Sequence, residues 1–198
     1  MITLYGGRMG SSLRPHWALC DLGLSYEAKS VDVRGGEQKS SWFLALNPAG
    51  QIPVIDVDGF VLAESMAIVQ YLAAKYHPKL LGATLEDQAR GMQWALWIML
   101  NVQGALSRIL MPKWTGVADE AGVEAGKAQL AKHLPILEMY LGTTRYLAGS
   151  SFTTSDINGM VALTYARMAE IDLSGYPNVA AWMSQCEARE AYQKAVKG

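Results

Sequence analysis

The chain has 198 residues, enough for one large domain or two small ones with a buried core. Hydrophobic residues make up 51 % and charged residues 18 %, which excludes a disordered chain, and a net charge of −1 excludes a nucleic acid or anionic membrane held by bulk electrostatics. Only 2 cysteines occur, Cys20 and Cys186, with no CxxC pair, so free thiols in a reducing compartment are expected rather than a disulfide framework or a zinc ribbon.

ITLYGG at the N-terminus reads as a strand, without the charged and apolar regions of a signal peptide. The most apolar stretch, WALWIML, is too short to span a bilayer, so a soluble cytoplasmic protein is expected. Ile2 to Tyr5 forms the first strand. Ser11 to Leu22 has helical spacing, with Leu13, Trp17 and Leu19-Cys20 near one face, and stops at Gly23. Tyr26 to Val33 alternates as a strand does, Gly35-Gly36 opens a polar loop, and Trp42 to Leu46 suggests one or two helical turns. Ile52 to Val57 and Phe60 to Ala63 are strands joined by the Asp58-Gly59 hairpin turn, and Ser65 to Tyr76 is a helix ended by His77-Pro78. The order β-α-β-α-β-β-α predicts a mixed sheet covered by helices over residues 1–78.

No strand pattern follows. A domain of helices alone is expected over 85–198, with 77–84 as the linker. Leu85 to Leu110 reads as one long helix, and Val123 to Leu141 as a second that Pro135 should kink or split. Thr154 to Ile171 is apolar almost all round, the pattern of a buried central helix, and Asn178 to Cys186 carries Val179, Trp182 and Cys186 on one face.

The informative stretch is NPAGQIPVIDVDGFVLAESM, Asn47 to Met66. Proline cannot donate to a ladder and belongs at a strand start or an edge, which suits Pro53. If its bond to Ile52 is cis, the backbone of Ile52 faces outward and can pair with an extended peptide. Glu64-Ser65 stands at a helix start, where unpaired N–H groups and the dipole attract a carboxylate. Ser65 can donate to the same anion while Glu64 takes an ammonium group. A peptide with a free amino-acid head fits both features, and glutathione is such a molecule.

These residues resemble the cytosolic glutathione S-transferases, of bacterial type and uncertain class. NPAGQIPVI, the hairpin and AES look like the glutathione-binding half of that family. YLAGSSFTTSDINGMVAL resembles its N-capping box, with Thr153 as cap, Asp156 reaching back and Phe152 packing on Ile157, and YPNVAAWMSQCEAREAY resembles its C-terminal helix. The resemblance implies a thioredoxin-like N-terminal domain, an all-helical C-terminal domain, a homodimer, glutathione as co-substrate and detoxification of a small apolar electrophile.

It also implies a hydroxyl or cysteine near the first strand–helix junction that activates the thiol. Ser11 and Ser12 stand at the expected helix start, where a hydroxyl and helix N-terminal amides can stabilise a thiolate; an ordinary serine cap is the alternative. Ser11 aligns with the position that is cysteine in beta-class bacterial enzymes, whereas other classes place a serine one or two residues earlier, at Met9 and Gly10. Tyr5 is a rival, or a strand-end core residue. Arg8 and Arg14 either support the thiolate or are surface charges. Gln51, Ile52, Pro53, Glu64, Ser65 and Lys39 form the expected glutathione-binding set; Gln51 and Lys39 also read as solvated loop residues. Trp94, Trp97, Met99, Met111 and Trp114 belong to the core or to an apolar second-substrate pocket. His16, His77 and His133 lack metal spacing, so no metal is expected. A glutathione-dependent isomerase, a reductase and a non-catalytic binding module of the same fold are the alternatives.

Overall fold

The computed structural model describes residues 1–197. The chain divides into two compact units, Met1–Pro78 joined by the residues from Arg189 onward, and Lys79–Ala188. The last helix of the chain, within the expected helical domain 85–198, falls in the first unit. Gly198 lies outside the described residues.

In the first unit four strands form one sheet in the order β2-β1-β3-β4: β1 Ile2–Tyr5, β2 Glu27–Lys29, β3 Val54–Val57 and β4 Phe60–Ala63. β1 is parallel to β2 and antiparallel to β3, with Leu4 opposite Ile55 and Tyr5 opposite Val54. Alternation sends these two pairs to opposite faces. On one face Val54 joins Val31 and Phe43 in a core cluster that Tyr5, Leu46, Ile52, Val61 and Ala63 flank. α2, Ser41–Leu46, supplies Phe43. α1, Leu13–Asp21, and α3, Ser65–Tyr76, pack on each other, and Trp17, Leu19, Ile68 and Leu72 are fully buried. α9, Glu190–Lys197, lies on α1, with the Tyr192 ring edge-on to Trp17 at 4.9 Å.

β2 is shorter than its alternating pattern suggests. Its three residues are exposed at a sheet edge, and beyond them the chain turns: Asp32 accepts from the amides of Gly35 and Glu37. Side-chain and backbone turn bonds thus replace a ladder that has no second neighbour.

In the second unit α4, Leu85–Ile98, and α5, Gly104–Thr115, are joined by a π-helical turn, Met99–Gln103, instead of forming one uniform helix. A π turn displaces carbonyls from their usual partners. Gln129 of α6 donates to the carbonyls of Leu100 and Asn101 at 3.3 and 3.1 Å, which satisfies them. α6 runs unbroken from Glu120 to Leu141 with Pro135 inside, so the expected split does not occur. Leu130, Leu134, Leu137 and Leu141 bury one stripe of it, and that packing offsets one missing backbone bond. α7, Thr154–Met168, is buried along nearly its whole length and is flanked by α8, Pro177–Glu187. Among the described residues, no helix is long and apolar enough to cross a membrane, and no cluster of side chains could hold a metal ion.

Candidate active site and glutathione site

The loop after β1 enters a single 3-10 turn, Gly10–Ser12, before α1 begins. Neither serine caps: no side-chain bond closes on the turn or on α1. Ser11 is half-buried and Ser12 is almost wholly buried. The Ser12 hydroxyl has no partner among the described residues and lies under Gly6, where an added Cβ would come within 2.7 Å of it. Gly6, at φ 144°, therefore combines a left-handed backbone with a close approach that any side chain would block. Of the two, Ser11 keeps partial exposure and makes no hydrogen bond to another side chain among the described residues, beside the first amides of the turn, which have no intrahelical acceptor.

Tyr5 sits elsewhere. Its ring contacts Trp42 at 6.1 Å and lies beneath Lys29 Nζ, on the face built around Phe43 and Val54. That is the strand-end core position the sequence offers as its second reading.

The stretch from Asn47 to Pro53 is ordered by its own polar groups. Asn47, buried, donates to the carbonyl of Gln51 at 2.8 Å and accepts from the amide of Ala49. Lys39 crosses the same loop and donates to the carbonyl of Ala49 at 3.2 Å, against Gly50, whose φ is 61°. Gln51 and Lys39 are both exposed. The Ile52–Pro53 peptide is cis, and β3 begins only at Val54, so the backbone of Ile52 stands outside the ladder.

β4 then delivers Glu64. This residue is exposed and holds φ 68° and ψ 108°, a conformation rare for a side-chain-bearing residue, at the N-terminal end of α3. No side chain caps that helix. Ser65, its first residue, is 7 % exposed and accepts a hydrogen bond of 3.2 Å from Arg14 Nη1. Arg14 is fully buried, which corrects its reading as a surface charge. Arg8, half-buried, donates to the carbonyl of Ala195 in α9.

Behind the serine turn lies a second polar group that spacing alone does not reveal. His16 Nδ1 and Tyr26 Oη are 2.9 Å apart. Burial and the Arg8 charge push His16 down to about 4, against the opposing pull of a hydrogen bond to the Gly6 backbone, so its ring is neutral near pH 7. Burial also pushes the Cys20 thiol up, although Tyr26 bonds to it, which suits an unreactive thiol.

In the second unit Trp94 is buried and stacks on Tyr140 at 4.0 Å, a core role. Trp97 lies edge-on to Trp94 and His133, and Met99 opens the π turn. Met111 and Trp114 remain exposed on α5, with Trp114 edge-on to Tyr165. Phe152 meets Tyr146 edge-on at 5.8 Å, beside the α7 start.

The profile described as glutathione S-transferase, N-terminal domain, matches residues 1–74, and the corresponding C-terminal domain profile matches residues 92–190. The chain belongs to the glutathione S-transferase family. Its mixed sheet with α1–α3 is the thioredoxin-like half, and α4–α8 make up the helical half. A relative along almost the whole length is glutathione S-transferase 3 of Zea mays, 37 % identical over 211 residues that cover 98 % of this chain and 93 % of the maize protein. Among solved structures, a glutathione S-transferase-I bound with the ligand lactoylglutathione superposes with a TM-score of 0.87 at 31 % identity, covering 99 % of this chain and 98 % of that one. Glutathione transferase F7 from Populus trichocarpa superposes with a TM-score of 0.89 at 28 % identity, covering 100 % of this chain and 98 % of the poplar chain. Two positions that the sequence undervalues stand out against this background: Arg14, whose burial no periodicity announces, and Asn47, whose role as organiser of the 47–51 loop is local and is signalled only by the Asn-Pro pair.

Proposed function

We propose that the enzyme holds glutathione on residues 51–65 and joins its thiolate to a small apolar electrophile, with Ser11 as the hydroxyl that stabilises the thiolate. The observation that supports the assignment of Ser11 is its partial exposure, without a cap bond, at the helix start, next to a buried Ser12 hydroxyl that lies against Gly6. Ser11 donates to the sulfur, and the first amides of the Gly10–Ser12 turn add their partial positive charge. The thiol proton leaves to solvent. The sulfur lone pair forms the new C–S bond, and the leaving group departs with its electron pair. The gain comes from the lowered thiol pKa and from positioning.

The backbone of Ile52, outside the ladder after Pro53, pairs with the cysteinyl main chain. Ser65 and the uncapped amides of α3 take the γ-glutamyl carboxylate, and Glu64 takes the ammonium group. Gln51 and Lys39 face the glycyl end. Exposed Met111 and Trp114 support an apolar second-substrate surface on α5. Met92 and Leu96 of α4 and Leu100 of the following π turn, spaced four residues apart and all exposed, support a homodimer through this face. A reducing cytoplasm suits the 2 free thiols, and detoxification suits an apolar electrophile.

Calorimetric titration with glutathione, paired with conjugation assays of Ser11→Ala, Ser12→Ala and the double variant, tests this reading. Binding that survives in all three, with turnover lost in Ser11→Ala and retained in Ser12→Ala, is the expected result. Unchanged turnover in the double variant removes both serines from the mechanism. Failure to bind glutathione at all favours the non-catalytic module.

A further inference from the structure

Arg14 is a guanidinium with no exposed surface, on a helix whose other buried residues are mostly apolar. Burying a permanent charge is costly unless it is paired, so such a residue stabilises a fold poorly compared with an apolar one of similar volume. One of its contacts reaches the start of α3. Its Nη1 donates to the Oγ of Ser65 at 3.2 Å, across the packed pair α1 and α3.

A serine hydroxyl has one proton and two acceptor lone pairs. The bond from Arg14 fills an acceptor position, so the Ser65 proton is left to donate. Ser65 is the first residue of α3, and no side chain caps the amides of that helix end. An anion there would meet an oriented O–H, free backbone N–H groups and a buried positive charge behind them. A low-dielectric setting strengthens that charge, and the helix packing fixes its direction.

We infer that Arg14 is a positioning residue that makes the α3 start selective for a free α-carboxylate on the γ-glutamyl head of the substrate, acting through Ser65 without touching the ligand. The inference rests on the reading of Ser65 as the carboxylate ligand. It separates two kinds of thiol peptide: those with an ionised head carboxylate, and those in which the head is neutral or lacks the group.

The probe is a pair of ligands, glutathione and 4-aminobutyryl-cysteinylglycine, which differs only in replacing that carboxylate by hydrogen. Dissociation constants are measured for both on the wild-type protein, Ser65→Ala, Arg14→Met, Arg14→Lys and the Arg14→Met/Ser65→Ala double variant. The wild type should prefer glutathione by roughly 10- to 100-fold, the scale of one charge-assisted contact set. Ser65→Ala should reduce the preference to about threefold or less, and Arg14→Met should reduce it by about fivefold or more with little change for the analogue. The double variant should be no less selective than Ser65→Ala, because both substitutions break one unit. In conjugation assays the loss should fall on the glutathione KM rather than on kcat.

A structural role alone would weaken both ligands equally, and that result overturns the inference. So does wild-type preference in Arg14→Met once Ser65→Ala has lost it. Full preference retained in Ser65→Ala overturns the Ser65 reading itself, which is a distinguishable failure. If circular dichroism shows Arg14→Met unfolded, Arg14→Lys decides: it keeps the charge but not the planar fork, and its preference should fall between those of the wild type and Ser65→Ala. Wild-type preference in Arg14→Lys beside a collapsed Ser65→Ala counts against Arg14.

Discussion

The helix starts of the two units are treated differently. In the second unit three of them, α4, α6 and α7, are closed by local side chains. At α4, Thr84 and Asp87 form a reciprocal capping box. At α6, Asp119 accepts from the amide of Gly122. At α7, Asp156 reaches back to the amide of Thr153 and also accepts from the Leu147 amide and the Trp182 indole, each at 2.9 Å. In the first unit α1, α2 and α3 begin at Ser12, Ser40 and Glu64, and none makes a side-chain cap. The residue types are much the same. A helix start whose acceptor is already supplied serves the fold, and one whose amides and hydroxyls are unspent is free to hold an anion.

The comparison is sharpest at its extremes. Asp156→Ala removes the acceptor for four buried donors, the amides of Leu147 and Thr153, the Thr153 hydroxyl and the Trp182 indole, so unfolding should become easier by about 3–5 kcal/mol, read by urea denaturation. A loss under 1 kcal/mol would mean that the α7 centre is not the closed structural unit described here. Ser11→Ala is its counterpart. Stability should stay within about 0.5 kcal/mol, because no bond in the protein is lost. The conjugation kcat should fall about 100-fold, and the pKa of bound glutathione, read from the thiolate absorbance, should rise. A stability loss comparable with that of Asp156→Ala would show Ser11 to be a cap after all.

The two units should also respond to acid in opposite directions. His16 is held down to about 4 from 6.5. The unfolded chain takes up that proton first, so its contribution is complete above pH 6.5 and is lost as pH falls towards 4, by about 3 kcal/mol. Burial pushes Asp156 up to about 6 from 3.8, although its hydrogen bonds oppose this. Here the folded chain binds the proton more tightly, so stability in the same window rises as pH falls from 6 to 4. Hydrogen exchange resolved by segment should show α1 losing protection and α7 gaining it between pH 6.5 and 4. A parallel change in both would break the comparison. The smallest expected effect is at the ordinary caps. Thr84→Ala should cost about 1 kcal/mol in a melt.

Much of this was legible in the sequence. Alternation, the Asp58-Gly59 turn and the Pro and Gly stops place β1, β3, β4, α2 and α3 within a residue or two, and the candidate stretch 51–65 is marked by its proline and its Glu-Ser pair. The capping box at Thr153 and Asp156 is readable because both partners lie within one turn. Less legible were features that depend on a neighbour distant in sequence. The π turn at Met99–Gln103 is stabilised by Gln129 of another helix. The end of β2 reflects an edge that no local pattern records.

What the sequence determined by itself is local: periodicity, turns, caps, and the chemical types available at each helix start, because these depend on residues a few positions apart. Tertiary structure decided the rest. It buried Arg14 and turned it onto Ser65, buried Ser12 against Gly6 while leaving Ser11 half-buried, set Tyr5 into the α2 face of the sheet, and brought the chain from Arg189 onward back against α1. Each of these requires groups far apart along the chain to meet in a packed interior. There, burial fixes whether a charge is solvated and whether a hydroxyl is spent, and no local pattern carries that information.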